Sequence, residues 1–155
     1  MLHIALYQPE IPPNTGNIMR LCANTGCALH LIEPLGFTLD DRKLRRAGLD
    51  YREFAPVQTH ASLKAFIDSS AAQRIFALTT RGERRYSDVS FRRWDTLLFG
   101  PETRGLPDTV LEELGDRHCL RIPMRPESRS LNLSNAAALV AYEALRQLDF
   151  PGLFP

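Results

Sequence analysis

Apolar positions along the chain form short runs that alternate with longer stretches of helical periodicity. Short apolar runs bounded by Gly, Pro or Asn are typical of strands, and apolar positions every three or four residues are typical of helices. Strands are predicted at residues 3–7, 28–32, 74–80, 96–99 and 118–122. Helices are predicted at residues 14–24, from 40 or 41 to 47, 62–69, 107–114 and 130–148. This alternation predicts an α/β domain with a mainly parallel sheet flanked by helices.

Particular residues mark the ends of these elements. Asn14 is predicted to cap the first helix and Gly26 to end it, because Asn accepts hydrogen bonds at helix starts and Gly tolerates a left-handed turn. The strands that end at Thr80, Phe99 and Ile122 each lead into a loop shaped by Gly or Pro. Ligands of parallel α/β sheets bind beyond the carboxyl ends of the strands, so these three loops are the predicted ligand site.

The composition is typical of an ordinary globular protein. The 155 residues are 44% hydrophobic and 24% charged, which favours a single domain over residues 1–155. The apolar runs fall short of the roughly 18 residues that a membrane span needs, and the start of the chain lacks the basic region of a secretion signal. Three cysteines at unpaired spacings fit a reducing compartment. We therefore expect a cytoplasmic protein with no membrane partner.

The motifs of several enzyme classes are missing. The chain has no GxGxxG dinucleotide fingerprint, no GxxxxGK[ST] phosphate loop and no GxSxG nucleophile elbow. Its four histidines lie apart in sequence, and His3, His30 and His118 are interpreted as ordinary residues in or beside strands. Neither HExxH nor CxxC is present, so no metal is expected, although distant ligands can converge in space.

The distribution of charge is more informative than the net charge, which is only +1. Of the 19 basic residues only Lys43 and Lys64 are lysine, and the others are arginine. Arginine suits phosphate better than lysine does, because its guanidinium can donate two parallel hydrogen bonds. A solvated surface with many ion pairs explains such residues as well, unless they surround a site. The basic clusters are residues 42–46, 81–85 and 92–93, with further arginines at 125 and 129.

Three motifs follow predicted strands. The first, PPNTGNIMR at residues 12–20, joins a helix start to small polar residues, which suits a phosphate or a sugar, although a capped helix also explains it. The second, FGPETRGLP at residues 99–107, is denser in Gly, Pro and charge than a simple connection needs. The third, IPM at residues 122–124 followed by SRSLNLSNAA at residues 128–137, has more Ser and Asn than one helix cap uses.

Taken in order, the three motifs resemble those of the SPOUT superfamily of RNA methyltransferases, in its TrmH-like branch. The resemblance covers nearly the whole chain, is closer still to the TrmL subfamily, and includes the segment LRRAGLDY at residues 44–51. It implies a deep C-terminal trefoil knot, which sequence patterns alone would not suggest, since knots are rare. It also implies a bare catalytic domain without an appended RNA-binding domain.

The activity implied by this resemblance is methylation of a ribose 2′-hydroxyl in tRNA, with S-adenosyl-L-methionine as the methyl donor. The implied target is the wobble nucleotide, a cytidine or modified uridine at position 34, with leucine tRNAs as the expected substrates. Another tRNA position or ribosomal RNA is the alternative substrate. A non-catalytic RNA-binding module is the alternative of a different class, and the missing glycine fingerprint counts against a nucleotide-dependent oxidoreductase.

The resemblance also implies which residues form the site. Arg20 is expected to orient phosphate and hydroxyl, because the pKa of arginine exceeds about 12, with proton acceptance as the alternative only if the bound RNA shifts its state. Glu102 is expected to hold Arg20 or the Asn side chains in place, and a side chain at Gly100 is expected to intrude on the cofactor. The catalytic set is Arg20, Asn14, Glu102, Ser130 and Asn132. The cofactor set is Leu78, Thr79, Gly100, Glu102, Gly105, Ile122, Met124, Ser130 and Leu131. The RNA-binding set is Lys43, Arg45, Arg46 and Arg129.

The last predicted helix favours a homodimer. One side carries an apolar stripe that suffices to cover the sheet, and a second side carries Ala138, Leu139 and Tyr142, where a surface helix should be polar. Neighbouring elements of the same chain are the alternative cover. In SPOUT enzymes this helix and the first-motif helix pair between chains, which implies that Arg20 of one chain approaches the cofactor of the other. Leu139 and Tyr142 are the expected interface residues.

Overall fold

A computed structural model describes residues 1–40, 42, 44, 46, 56–69 and 71–155. These residues form a seven-stranded sheet in which every pair of neighbouring strands is parallel, so the predicted parallel α/β architecture is confirmed. The strands are β1 (His3–Tyr7), β2 (Ala28–Ile32), β3 (Val57–His60), β4 (Arg74–Leu78), β5 (Arg84–Arg85), β6 (Asp95–Phe99) and β7 (Cys119–Arg121). The helices are α1 (Pro12–Thr25), α2 (Leu63–Ile67), α3 (Asp108–Leu114) and α4 (Leu133–Gln147), with 3-10 turns at Tyr86–Asp88 and Asp116–His118.

The strand order is β3-β2-β1-β6-β4-β7-β5, so the chain builds outward from β1 and then crosses to the other half of the sheet. The register pairs Phe99 at the end of β6 with Leu6 of β1 and Leu78 of β4, and it pairs Leu78 with Leu120 of β7. Because these strands are parallel, the loops that follow them emerge at one edge. The three predicted loops therefore meet where the strand order reverses, which is where open α/β sheets bind ligands.

Helices cover both faces of the sheet with apolar side chains. On one face, α1 and α4 share a core that includes Ile18, Val140 and Leu97. On the other face, α2 and α3 pack through Phe66 and Val110. The stripe predicted to face the sheet supplies the buried side of the last helix, which comprises Ala137, Val140, Ala141, Ala144 and Leu145.

The first helix starts earlier than predicted. α1 begins at Pro12, and its N-cap residue Ile11 makes no side-chain cap, so the prediction that Asn14 caps this helix is wrong. Proline is favoured in a first helical turn because it lacks the N–H that would go unpaired there and its φ angle is already helical. The predicted end is confirmed, since Gly26 has a φ angle of 72° and donates its N–H to the Cys22 carbonyl.

The last helix starts later than predicted, at Leu133 instead of residue 130. The Asn132 side chain caps it by accepting hydrogen bonds from the backbone N–H groups of Ser134 and Asn135. Residues 130–132 are consequently released from the helix and belong to the loop that precedes it. This loop is one of the three that meet at the carboxyl edge of the sheet.

Two strands were not predicted. β3 lies at one end of the sheet and exposes Gln58 and Thr59, and β5 at the other end is only two residues long. Edge strands such as these lack the apolar run by which buried strands are recognised. The other predicted elements that the structure describes differ by at most two residues at either end, apart from the start of α4. Most of the predicted basic helix from 40 or 41 to 47 lies outside the described residues.

Three histidines that are far apart in sequence form a hydrogen-bonded chain across β1, β2 and β3. His3 Nδ1 lies 2.8 Å from His30 Nε2, and His30 Nδ1 lies 2.9 Å from His60 Nε2. A neutral imidazole has one donor and one acceptor, so neutral rings can satisfy both bonds. The ring of Phe66 packs beside them, 5.0 Å from that of His30. Burial lowers the pKa of His30 to about 4, which keeps its ring neutral near pH 7.

Candidate active site

A cleft of about 1000 Å³ opens beyond the carboxyl ends of β4, β6 and β7. Its walls come from the loops that follow these strands, from the start of α1 and from the start of α4. All nine residues predicted to bind the cofactor line this cleft, although they come from three separate parts of the sequence. They are Leu78, Thr79, Gly100, Glu102, Gly105, Ile122, Met124, Ser130 and Leu131.

The loop after β6 folds back tightly on itself at Gly100. A Cβ atom at this position would lie 2.4 Å from the backbone nitrogen of Leu106 and 2.5 Å from the carbonyl carbon of Gly105. The expectation that a side chain here would intrude on the cofactor is therefore corrected, because the side chain would first collide with the backbone of its own loop. Gly105 differs, since its φ angle is 69° and its Cβ position meets no atom within 4 Å. Gly105 thus presents open backbone at the cleft.

Arg81 joins two walls of the cleft, and the motif comparison did not single it out. Its guanidinium donates a hydrogen bond to the Leu106 carbonyl at 2.7 Å and forms an ion pair with Asp108. Its backbone N–H donates to the Thr79 hydroxyl at 3.2 Å. The contact holds the loop after β4 against the loop after β6. The sequence signal for this role was an arginine that directly follows a strand ending at the predicted ligand site.

Two asparagines from distant motifs meet in the cleft wall. Asn14 is only 7% exposed, and its side-chain oxygen accepts a hydrogen bond from the Asn132 amide at 3.0 Å. Asn132 also caps α4, so this bond ties the first turn of α1 to the start of α4. Ser130 is exposed and lines the same cleft. The sequence placed all three residues in the site, and the structure adds the bond between the two asparagines.

Glu102 lies in the cleft wall and bonds to the backbone of the segment before α1. Its carboxylate oxygens accept hydrogen bonds from the N–H of Glu10 at 2.8 Å and from the N–H of Ile11 at 3.2 Å. The expected partners, Arg20 or the Asn side chains, are therefore replaced by these two backbone groups. Because α1 begins at Pro12, Glu102 acts on Asn14 indirectly, through the segment that leads into the helix.

The other predicted cations that the structure describes are exposed. Arg20 is exposed on α1 and is absent from the described residues that line the cleft of its own chain. Arg129 is exposed and lines the cleft, and Arg46 is exposed. Lys43 and Arg45 lie outside the described residues. A single chain therefore brings Arg129 to the cleft but leaves Arg20 outside it.

The lining of the cleft suits a nucleoside with a charged tail. Ile122, Met124 and Leu131 are partly exposed in it, Leu131 to 43%, and can pack against a flat ring. The Gly105 carbonyl can accept a hydrogen bond from the polar edge of such a ring, whereas the Gly105 N–H already donates to the Pro101 carbonyl. Arg104, which sequence reasoning did not select, is exposed at the same cleft and adds positive charge. Ligand sites of this kind combine apolar walls with a few placed polar groups.

The side of α4 opposite its buried stripe carries exposed apolar residues. Leu139 is 41% exposed and Tyr142 is 45% exposed. Large apolar side chains at this exposure on one helix face are the kind of surface that a partner covers. These are the two residues that the sequence predicted for a dimer interface.

The described residues contain no group of His, Cys, Asp or Glu that could hold a metal ion. The histidine chain is no exception, because its nitrogens bond to one another at 2.8 Å and 2.9 Å. Within the same part of the chain, no helix has the length and apolar character needed to cross a membrane.

Comparison with known proteins identifies the family. The model of the SpoU rRNA Methylase family matches residues 1–142. The chain is 60% identical over 152 residues to the tRNA (cytidine(34)-2'-O)-methyltransferase of Escherichia coli K12, a match that covers 98% of this chain and 97% of that protein. A structure solved to study the 2-OH methylation of C/U34 on tRNA has a TM-score of 0.91 at 50% identity, over 96% of this chain and 97% of its own. The SpoU methyltransferase AviRb from Streptomyces viridochromogenes, solved with the cofactor AdoMet, has a TM-score of 0.81 at 25% identity, over 96% of this chain and 61% of its own. Because the family model spans most of its length, the chain belongs to the SpoU rRNA methylase family.

Proposed function

We propose that this chain methylates the ribose 2′-hydroxyl of nucleotide 34 in tRNA, with S-adenosyl-L-methionine as the methyl donor. The observation that carries the proposal is the cleft that gathers all three motifs, in a chain 60% identical to a tRNA (cytidine(34)-2'-O)-methyltransferase. The fold alone would not support it, because one fold hosts many functions. Leucine tRNAs in the cytoplasm are the proposed substrates.

The cleft fits S-adenosyl-L-methionine in size and in chemistry. The open backbone at Gly105 and the apolar side chains of Ile122 and Met124 suit an adenosyl group, while Arg104 and Arg129 suit a carboxylate. When bound, the cofactor supplies an electrophilic methyl group on a positively charged sulfur, so the protein has no leaving group to activate. The task of the chain is to place the two reactants and orient the hydroxyl, which accounts for large rate effects in enzymes.

The polar wall of the cleft performs this orientation. Asn14 and Asn132 hold each other at 3.0 Å, and with Ser130 they present donors and acceptors to the ribose and its phosphate. Arg20 is proposed to bind the phosphate and to orient the 2′-hydroxyl as a protonated guanidinium. A guanidinium is a poor proton acceptor, so Arg20 would take the hydroxyl proton only if bound RNA shifts its protonation state. Glu102 fixes the entry into α1, on which Asn14 and Arg20 both lie.

A homodimer is proposed to complete this site. Arg20 lies outside the cleft of its own chain, and α4 exposes Leu139 and Tyr142. α1 and α4 pack against each other, so a partner seated on this face of α4 would also lie near α1. Such pairing would carry Arg20 of one chain to the cleft of the other. Tyr142 would bury its ring there and need a partner for its hydroxyl.

The proposed tRNA contacts surround the cleft. Arg129 lines it, and Arg46 is exposed, so both are available to phosphate groups. Lys43 and Arg45 complete the proposed set. Contacts between arginine and phosphate release counterions, so the affinity for tRNA is expected to fall as salt rises.

A knotted C-terminal region is part of the proposal. It is supported by the close passage of the loop after β4 against β7. A Cβ atom at Gly82 would lie 2.9 Å from the Cys119 carbonyl oxygen, so only glycine allows this approach. The loop after β6 is equally tight at Gly100. The close passage of the loop after β4 against β7 fits a chain that is threaded through its own loops.

The experiment that tests the function maps the methylated nucleotide. The purified protein is incubated with methyl-labelled S-adenosyl-L-methionine and with tRNA or ribosomal RNA from a strain that lacks the enzyme. Mass spectrometry of nuclease fragments should find the label on the ribose of nucleotide 34 of leucine tRNAs. Label at another tRNA position, or only in ribosomal RNA, would select the alternative substrate. Tight RNA binding without methyl transfer would select the alternative that the protein is a non-catalytic RNA-binding module.

Complementation tests the shared site. A chain with Arg20→Ala is mixed with a chain carrying Gly105→Val, because Gly105 lines the cleft and a branched side chain is strained at its φ angle of 69°. If each site uses Arg20 of one chain and the cleft of the other, a mixed dimer has one intact site. Methylation by the mixture, from two inactive parents, is the expected result. A fully active monomer by sedimentation at micromolar concentration would contradict the dimer.

A further inference from the structure

The loops that follow β1 and β6 exchange hydrogen bonds in both directions. The Glu10 carboxylate accepts from the Thr103 backbone N–H at 3.1 Å and from the Thr103 hydroxyl at 2.8 Å. In return, the Glu102 carboxylate accepts from the N–H groups of Glu10 and Ile11 at 2.8 Å and 3.2 Å. We name these four bonds the reciprocal latch. It joins strands that are neighbours in the sheet, since β1 pairs with β6.

The segment that carries Glu10 is held from its other side as well. Pro9 accepts a hydrogen bond from the Gly36 N–H at 2.9 Å, and a Cβ atom at Gly36 would lie only 2.9 Å from the Glu10 Cα. Just before it, Gln8 has a φ angle of 47°, in the left-handed region that a glutamine rarely adopts. Backbone strain of this kind persists only where the surroundings fix it, and it concentrates at functional sites.

The reciprocal latch lies between the part of the site proposed to bind the RNA and the part proposed to bind the cofactor. On one side, the segment leads within two residues into α1, which carries Asn14 and Arg20. On the other side, Thr103 sits in the loop that ends at Gly105, whose N–H donates to the Pro101 carbonyl at 2.9 Å. A shift of the Glu10 carboxylate would therefore move the backbone that faces the cofactor and the helix that faces the RNA.

The position of these bonds argues against a role in stability alone. Thr103 is exposed and Glu10 is only partly covered, and exposed polar pairs contribute little to folding. The Thr103 hydroxyl and N–H nevertheless lower the pKa of the Glu10 carboxyl, so the ionised form is the bonded one. Hydrogen bonds that contribute little to stability but fix the shape of a site are expected of residues that position other groups.

We infer that Glu10 is a positioning residue for the cofactor loop, acting through Thr103, and that it couples this loop to the start of α1. The inference rests on the proposed function and deepens it by adding a residue outside the three motifs' polar sets. Glu10 touches neither the reacting hydroxyl nor the methyl group. Its effect is on the shape of the loop from Pro101 to Gly105 before the cofactor binds.

The test compares four single variants and one double variant with the wild-type protein. Glu10→Ala removes both acceptor oxygens, and Glu10→Gln keeps one oxygen for Thr103. Thr103→Val removes the hydroxyl donor but keeps the backbone donor. Glu112→Ala is the matched control, since Glu112 is exposed on α3 and does not line the cleft. Calorimetry gives the Kd for S-adenosyl-L-methionine, steady-state methylation gives KM and kcat, and thermal unfolding gives Tm.

Glu10→Ala is expected to raise the Kd and KM for the cofactor about tenfold, the usual weight of a hydrogen bond to a charged group, while kcat falls less. Glu10→Gln and Thr103→Val are expected to stay within about threefold, and all three variants should keep the wild-type Tm within a few degrees. The double variant of Glu10→Ala with Thr103→Val should be no worse than Glu10→Ala, because both act through one contact.

Two results would overturn the inference. One is a Glu10→Ala protein with wild-type Kd, KM and kcat. The other is equal damage in Glu10→Ala and Glu10→Gln together with a lower Tm, which is the pattern of a purely structural residue. Absence of cofactor binding by the wild-type protein would instead overturn the proposed function. In that case amide hydrogen exchange at residues 102–105 still decides, because Glu10→Ala should speed it if the carboxylate holds the loop.

Discussion

At the carboxyl ends of β4, β6 and β7, polar groups from three loops face a cleft of about 1000 Å³, whereas across β1, β2 and β3 three histidines bond to one another inside the protein. The cleft region is open, and its shape depends on glycines and on hydrogen bonds between loops. The histidine region is closed, and His30 is only 1% exposed. Both regions belong to one parallel sheet. The histidines lie in the half formed by β1, β2 and β3, and the cleft lies at the half that contains β4, β6 and β7.

The difference shows where polar groups are available for function. In the cleft, side chains such as Asn132 and Arg129 keep bonding capacity that a ligand can use. In the histidine chain, two hydrogen bonds join the rings to one another, and burial favours their neutral form, although His3 Nε2 has no partner among the described residues. Substitutions in the cleft should therefore change activity more than stability, and substitutions in the histidine chain should change stability more than activity.

The largest expected effect is that of Arg20→Ala on methyl transfer. The side chain is exposed on α1, so its loss should leave the fold and the cofactor affinity intact. Loss of a group that orients the reacting hydroxyl should lower kcat by about a thousandfold. Single-turnover methylation of tRNA measures this. The matched variant is Arg20→Lys, which keeps the positive charge but loses the paired N–H donors of the guanidinium. Turnover near the wild-type rate would remove Arg20 from the mechanism.

The next effect is a pH dependence of stability that comes from the histidine chain. Burial lowers the pKa of His30 from 6.5 to about 4, and it also lowers the pKa values of His3 and His60. The folded protein therefore binds fewer protons than the unfolded chain between these values. This stability is fully present above about pH 6.5 and is lost as the pH falls towards 4, by about 3 kcal/mol for His30.

Urea unfolding at several pH values checks this prediction. The free energy of unfolding of the wild-type protein should fall between pH 6.5 and pH 4, and His30→Gln should reduce that slope. Cofactor affinity of the variant at pH 7.5 should stay near the wild-type value, because none of the three histidines lines the cleft. An unchanged slope in His30→Gln would mean that the buried ring does not control the acid stability of the protein.

A smaller effect is expected from Gly100→Ala. The added Cβ would lie 2.4 Å from the Leu106 nitrogen, so the loop after β6 must shift. Such overpacking costs about 1–3 kcal/mol of stability, and the displaced loop should weaken cofactor binding about tenfold. Gly115→Ala is the control, because its φ angle of 80° imposes strain but its Cβ position is open and outside the cleft. If the two variants bind the cofactor with equal affinity, the shape of the loop after β6 does not control cofactor binding.

The smallest effect is that of Arg129→Gln on tRNA binding. Arg129 is exposed at the cleft, so its loss should remove one phosphate contact and weaken binding about threefold. The slope of the logarithm of affinity against the logarithm of salt concentration should fall by about one unit. Arg117→Gln, an exposed substitution outside the cleft, should leave both quantities unchanged. The same affinity and slope in Arg129→Gln as in the wild type would contradict a phosphate contact.

Sequence patterns predicted the buried part of the fold well and its edges poorly. β1 and β2 match their predictions residue by residue, because strands in the buried part of a sheet are rich in apolar residues. β3 and β5 were missed because edge strands need no such run. The start of α1 was placed two residues late because Asn14 was taken as its cap, whereas Pro12 opens the helix.

The sequence by itself determined the alternation of strands and helices, the apolar side of the last helix and, through its motifs, the nine predicted cofactor residues that line the cleft. These properties depend on residue type and on spacing along the chain, which the sequence contains directly. The tertiary structure alone decided which residues contact one another. Only the fold could place Glu10 against Thr103, Arg81 against Leu106, and His3, His30 and His60 in one line. Contacts between residues 25 to 93 positions apart depend on strand order and register, and a local pattern carries no information about either.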